Sequence, residues 1–566
     1  MRRPIVWMLS LAVVAMIAAA LWSARTRVPE NAVLVLELGG ELDEAPPRDL
    51  LGQWKARGPA LPTLLLLLDM AAADARVQAV LLHVKALSVG YARIQELRDA
   101  LARVRGAGKR VIALVDETSL NATRELYLAS SADQIFIEPA SLAPLAGIAG
   151  QYLHFGGFFE KIGVEWQVSR VGEYKSAVEQ FAAREMSPKA REMTDALLDG
   201  IFAQIVEGIA AGRKLEAVQV RALIDTAPGT PAELVAAKLA DGIADRQQVL
   251  EKAGLPGASE LEAADYQRVD ASSLGLRSGP TIALIFGEGS IVEERGRGFS
   301  SVFAADEAVK ALDDAAKDDE IRAVVLRINS PGGGAQASDK VWRAVQRVRA
   351  KKPIVVSMAD YAASGGYYIA SGANAIVAEP ATLTGSIGVF LLRPSFTGLY
   401  QKLEIGSELL ERGPFAGVSG GDRPFTAEQQ SRADSFIAAS YRDFLGRVST
   451  GRDMSTEAVD ALGRGRVWLG SDARARKLVD EIGGLRAAVE RARVEAGIQN
   501  EPDPVRLILP APRTPREQLH DLIRGDAQNH LLRALLPADL PFALALDWLP
   551  LDGALAYLPP YWIEIH

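Results

Sequence analysis

Three short stretches carry residue types and spacings that could do chemistry. INSPGGG, Ile328 to Gly334, follows the β-branched run AVVLRI. Adjacent glycines such as Gly332 and Gly333 at a strand end let the backbone turn sharply and leave N–H groups free to point into a site. Such a loop reads as a phosphate cradle, a plain turn or an oxyanion hole, and the cradle is weak because no Gly-Lys-Ser/Thr follows. Further on, ADYAASGGYYIAS sets Ser364 between a strand and a helix. Ser364 there reads as an N-cap or as a nucleophile on a strand-to-helix elbow; Gly365 and Gly366 remove side chains that would block a substrate. The third stretch, GEYKSAVEQF, holds Lys175 beside Tyr174, Val178 and Phe181. A lysine acts as a general base only when burial lowers its pKa from about 10.4 by several units. The alternative is an ordinary solvated lysine.

Composition narrows the choice of base. The 566 residues include five His and no Cys, which removes a thiol nucleophile, a disulfide framework and any Cys-based zinc or iron–sulfur site. His83, His154, His520, His530 and His566 form no tight metal-ligand spacing, and His83 lies in an apolar strand-like run. A metalloenzyme reading is therefore poor, and a hydrolase built on this chain takes its base from something other than histidine. The formal charge of −8, with scattered basic residues, argues against nucleic acid as a partner.

The elements that must position these residues occur twice. LYLASSADQIFIEPASLAPLAGI from Leu126 matches YYIASGANAIVAEPATLTGSIGV from Tyr367, and AVLLHV and VIALVD upstream answer AVVLRI and IVVSMA. Each copy alternates short β-branched runs with amphipathic helical stretches, which predicts an α/β fold with largely parallel pairing. The expected units are residues 28–275, 276–500 and a divergent tail, 501–566. The stretch 182–214 reads as a helical insertion between modules, and the Pro-rich stretch EPDPVRLILPAPRTP as a linker. In the alignment of the copies Ser364 falls on Thr123, Gly365-Gly366 on Arg124-Glu125, and the SPGGG loop on ALSVG. Lys175 falls on Ala416. Neither copy holds both a serine and a lysine, so the two are expected to form a dyad across the module junction.

Residues 1–27 place Arg2 and Arg3 before an apolar run, Ile5 to Trp22, broken only by Ser10. As a helix it would be about 27 Å long, near the thickness of a bilayer core. It reads as a transmembrane anchor or uncleaved signal, while Ala18-Ala19-Ala20 also resembles a signal-peptide cleavage site.

The two-copy layout, GEYKSAVEQF in the first half, and NSPGGG, ASGGYYIAS and TGSIGV in the second closely resemble the long, duplicated signal peptide peptidase A family over about residues 30–500. The resemblance implies two tandem ClpP/crotonase-like modules of spiralling ββα units. It implies Ser364 as nucleophile, Lys175 as general base, Ser386 holding the lysine amine, and Gly332, Gly333 and Gly365 at the oxyanion positions. It further implies a membrane-anchored serine endopeptidase that works through an acyl-enzyme, with no metal and no cofactor, on signal peptides and other unfolded apolar peptides. The body would lie on the periplasmic side of a bacterial inner membrane, as a homotetramer held to lipid by its N-terminal helix. Two other readings stand beside this one: an acyl-CoA-handling crotonase-like enzyme, and a non-catalytic membrane scaffold.

Overall fold

A computed structural model describes residues 28–46, 58–295 and 302–510. The apolar run Ile5–Trp22, expected as an anchor, and the tail beyond residue 510 lie outside the described residues. Among the described residues no helix is long and apolar enough to cross a membrane. The first half supplies β1 (Ala32–Gly40), β2 (Val77–Leu87), β3 (Arg110–Val115), β4 (Gln134–Ile137), β5 (Glu165–Val171), β6 (Gly242–Ile243) and β7 (Ser259–Glu262). Six of them form one parallel sheet in the order β6-β4-β3-β2-β1-β7, and β5 stands apart. From the second half come β8 (Gly279–Glu288), β9 (Ser290–Val292), β10 (Val302–Ala304), β11 (Ile321–Ser330), β12 (Ile354–Ala363) and β13 (Ala375–Ala378). Then follow β14 (Leu383–Gly385), β15 (Val389–Ser395), β16 (Val467–Leu469), β17 (Glu481–Ile482) and β18 (Pro504–Leu509). The second sheet runs β16-β14-β12-β11-β8-β18, with β13 joining β12 to β17, and only its β14–β16 pair is antiparallel. The expected α/β class with mostly parallel pairing is what the chain adopts.

Strands buried on both faces read as unbroken apolar runs, because side chains alternate between two covered surfaces. Leu34, Leu36, Leu38, Val80 and Leu82 point into one core; Val33, Val35, Leu81 and Ile112 point into another. The first of these cores also takes Ile282, Leu284, Phe286 and Val325 from the second sheet, so the two halves share a hydrophobic interior. The opposite face of the second sheet, with Ile285, Leu326 and Val356, is covered by Val341, Val345 and Val348 of the helix Ala335–Arg349.

Two sequence expectations need correction. The stretch 182–214 is not an insertion: its helix Pro188–Arg213 has a counterpart of the same length, 26 residues, in the helix Ala427–Arg452. Each opens on a hydroxyl N-cap, Ser187 or Thr426, and each ends on a left-handed residue, Lys214 or Asp453. Each also presses a glycine onto a carbonyl. A Cβ on Gly212 would lie 1.9 Å from the Ser130 oxygen, and one on Gly451 1.8 Å from the Ser371 oxygen. The second correction concerns the Pro-rich linker, within which Pro504–Leu509 is a strand paired in parallel with β8. Its proline occupies the first strand position, where a missing N–H is tolerated, and the apolar run VRLIL follows.

Candidate active site

The segment carrying Ser364 leaves β12 and turns at once into the helix Gly365–Ala370. Ser364 sits at φ 52°, ψ −115°, outside the ordinary regions for a residue with a side chain, and its N–H donates to the Gly385 oxygen at 2.8 Å. Strain of this kind costs roughly 1–3 kcal/mol and persists where surrounding contacts enforce it. The side chain makes no capping bond to the helix, which removes the N-cap reading. Its Oγ accepts a hydrogen bond from Lys175 Nζ at 3.0 Å instead.

Lys175 arrives from the other half of the chain. β5 pairs antiparallel with β15, from Glu165 opposite Ser395 to Val171 opposite Val389, and the chain then turns into the short helix Ser176–Val178. Lys175 Nζ donates to Ser386 Oγ at 2.9 Å and to the Ser386 oxygen at 3.1 Å, and the residue is 2% exposed. Burial pushes the amine down to about 7. Ser386 shares with Ser364 a positive φ, 50°. Of the apolar neighbours expected around Lys175, Val178 is buried against Ala177 and Phe390. Tyr174 turns its hydroxyl to Glu192 and Arg466, and Phe181 packs on Trp166.

The glycine loop closes the third side. Gly332 has φ +112°, and a Cβ on it would lie 2.8 Å from Ser364 Cβ and 2.9 Å from the Gly365 nitrogen. At Gly365 a Cβ would meet Ser338 Oγ at 2.4 Å. The Gly332 N–H donates to Ser330 Oγ at 3.1 Å, because the turn folds it back on its own strand. The N–H groups of Gly333 and Gly365 have no protein acceptor among the described residues. Two donors thus remain beside the Ser364 hydroxyl. A neutral amine in hydrogen-bond reach of a hydroxyl can take its proton, and free N–H groups beside that hydroxyl can stabilise an oxyanion.

The equivalent region of the first half is filled by its own side chains. Glu125 accepts the Leu87 N–H at 2.8 Å, Arg124 donates to the Leu87 oxygen at 2.6 Å, and Thr123 Oγ1 accepts the Gly147 N–H at 2.9 Å. Asp360 and Asn329 lie within ADYAASGGYYIAS and INSPGGG, and the structure gives each a partner. Asp360 accepts the N–H groups of Gly90 and Arg93, both at 3.1 Å, and pairs with the Arg93 side chain, tying the serine strand to the first half. Asn329 Oδ1 accepts the Tyr361 N–H at 3.2 Å, bracing the glycine loop against β12. No spacing in the sequence signals either contact.

A description of peptidase family S49 matches the chain twice, over residues 103–256 and 346–499. The chloroplastic serine protease SPPA of Arabidopsis thaliana is 34% identical over 488 residues, which is 83% of this chain and 70% of that protein. Protease 4 of Salmonella typhi is 34% identical over 408 residues, 69% of this chain and 65% of that one. A putative signal peptide peptidase SppA of Enterococcus faecium is 32% identical over 180 residues, 32% of this chain and 52% of that protein. The chain thus spans about two thirds of the length of its longer relatives. With the family matched in both halves and long serine protease relatives on either side, the chain belongs to peptidase family S49 and is a serine peptidase.

Proposed function

We propose that Ser364 is the nucleophile and Lys175 the general base of an endopeptidase that works through an acyl-enzyme. The observation that carries this reading is the 3.0 Å contact between Lys175 Nζ and Ser364 Oγ, made by an amine whose pKa burial lowers to about 7. Neutral Lys175 accepts the Ser364 proton as Oγ attacks the scissile carbonyl. The N–H groups of Gly333 and Gly365 receive the developing oxyanion, while Gly332 supplies the turn that brings them there. The protonated amine then gives its proton to the leaving nitrogen, and water, deprotonated by the same lysine, releases the acyl group. Ser386 keeps the amine on Ser364 throughout.

The substrates proposed are signal peptides and other unfolded apolar peptides. The name of the Enterococcus faecium relative supports this, and so does the apolar run Ile5–Trp22, which would hold the enzyme at the membrane where such peptides collect. In this reading residues 1–27 anchor the chain in a bacterial inner membrane with the body in the periplasm. Residues 28–275 and 276–500 are the two ClpP/crotonase-like modules, residues 501–566 a tail whose first strand, Pro504–Leu509, joins the second module's sheet, and the assembly a homotetramer. Incubation with a fluorophosphonate probe, followed by peptide mapping, tests the chemistry. The expected label is on Ser364 and is lost in Lys175→Ala; a folded enzyme that takes no label, or takes it elsewhere, overturns the assignment.

A further inference from the structure

We propose that the loop Gly463–Arg466 is a clamp that seats Lys175 on Ser386, and that Gly465 is a positioning residue for the dyad. The inference rests on the Ser364–Lys175 reading above. Three successive residues of this loop hold both halves of the site through their backbone. The Arg464 oxygen accepts the Tyr174 N–H at 3.0 Å, next to the lysine. Gly465 donates to the Ile387 oxygen at 2.8 Å, and the Arg466 oxygen accepts the Ser386 N–H at 2.8 Å. The lysine-bearing segment and the serine that orients its amine are therefore fastened to one short stretch.

Contact at the centre of the clamp is closer than any side chain permits. Gly465 has φ +82°, and a Cβ there would lie 2.5 Å from the Lys175 nitrogen and 2.6 Å from both its Cα and Cβ. All three are backbone or backbone-proximal atoms, so the lysine would have to move rather than rotate away. Gly388 closes the opposite wall, where a Cβ would meet Gly465 Cα at 3.0 Å and Lys175 Cδ at 3.2 Å. From outside, Arg466 donates to the Tyr174 hydroxyl at 3.0 Å. The charged groups around the clamp are engaged with one another or with backbone: Arg170 with Glu179 and the Lys175 oxygen, Arg464 with Asp460 and Glu173, Arg466 with Glu192. Lys175 Nζ itself faces the two serines. Seating, more than a neighbouring charge, therefore keeps the amine in its dry site.

The experiment measures peptide cleavage and the rate of Ser364 labelling against pH for the full chain and for Gly465→Ala. Gly497→Ala serves as the control, since Gly497 has φ +69° and no atom within 4 Å of an added Cβ. The expected result for Gly465→Ala is a kcat at least tenfold lower with KM within twofold, and an ascending limb displaced upward from pH 7 as the amine meets water. Gly497→Ala should keep the wild-type values. A folded Gly465→Ala with wild-type kcat and midpoint overturns the clamp. Should Gly465→Ala not fold, Tyr174→Phe decides, because it removes the hydroxyl that Arg466, Glu192 and Lys189 share without adding an atom. A several-fold lower kcat and a raised midpoint are then expected, and unchanged values overturn the proposal. Absence of Ser364 labelling in the wild type would instead sink the dyad reading itself.

Discussion

At Lys175, burial and the proposed chemistry act on the same proton. Its pKa is about 7 in the folded chain and near the ordinary 10.5 when unfolded. Below about pH 7 both states bind the proton, and burial of the ammonium costs the fold its full penalty, on the order of 5 kcal/mol. Between 7 and 10.5 the unfolded chain holds more protons, so stability rises with pH and the penalty fades. Lys175→Met should therefore be inactive yet more stable, by roughly 1–3 kcal/mol at pH 6 after the loss of its hydrogen bonds to two serines. The gain should shrink toward pH 10. Urea denaturation at the two pH values measures it, and a gain that does not change with pH would refute the account. Ser386→Ala makes a second case: the amine loses one of its two hydroxyl partners, and kcat is expected to fall about 10–100-fold, equivalent to about 1.4–2.8 kcal/mol of barrier. Steady-state kinetics with a fluorogenic peptide checks this, and a kcat within twofold of wild type would remove Ser386 from the site. Much of this arrangement was legible in the sequence, although Ser386 entered only through the family resemblance. Ser364 and the glycine loop stood out by spacing, and Lys175 by the asymmetry between the copies. What stayed hidden was anything set by tertiary contact: the strained φ shared by Ser364 and Ser386, and the folding back of the Gly332 N–H onto Ser330.

Among the elements, the long helices show why the repeat was only partly readable. Helices Pro188–Arg213 and Ala427–Arg452 share length, caps and one close approach to a carbonyl, but few side chains, so aligned letters do not reveal them as counterparts. Conserved geometry here needs only a glycine at one position. Gly451 and Gly446 lie in the same helix and should respond in opposite directions. An alanine at 451 would put a carbon 1.8 Å from the Ser371 oxygen and force the helix off its neighbour, at a cost of roughly 1–3 kcal/mol. Gly446 has nothing within 4 Å of an added Cβ, so Gly446→Ala should stabilise by about 0.5–1 kcal/mol through backbone entropy alone. Paired denaturation curves decide this; equal shifts for both would show that the close approach is not what selects glycine at 451. The strand Pro504–Leu509 went unread for a related reason: the prolines around VRLIL signal a linker, whereas the pairing that makes it a strand comes from β8.

Over the whole molecule, the site exists only while the halves stay docked, because Lys175 and Ser364 belong to different ones. The shared apolar core supplies attraction without direction. Direction comes from buried charges that cross the junction both ways. Arg327 of β11, 2% exposed, donates to Glu44 at 2.9 Å and to Glu96 at 2.7 Å, while Arg93 of the first half pairs with Asp360 of β12. Burial pulls the Arg327 pKa down, but the two carboxylates outweigh it and hold the guanidinium above its ordinary value. These partners are 283 and 231 residues apart, and nothing in a single sequence joins them, so this part of the architecture was not legible at all. Arg327→Met leaves Glu96 buried without its cation and Glu44 with Arg93 alone, at 3.6 Å, and should destabilise the chain by roughly 3–5 kcal/mol. Activity should fall with it, since loosening the junction draws the amine away from the hydroxyl. The apolar triple variant Arg327→Met, Glu44→Leu, Glu96→Leu removes charge and countercharge together and should recover most of the stability. If the ion pairs also set the docking geometry, the triple variant regains its denaturation midpoint but labels Ser364 more slowly than the wild type. Recovery of both would assign docking geometry to the apolar core, and a stable Arg327→Met would show that the two glutamates find other partners.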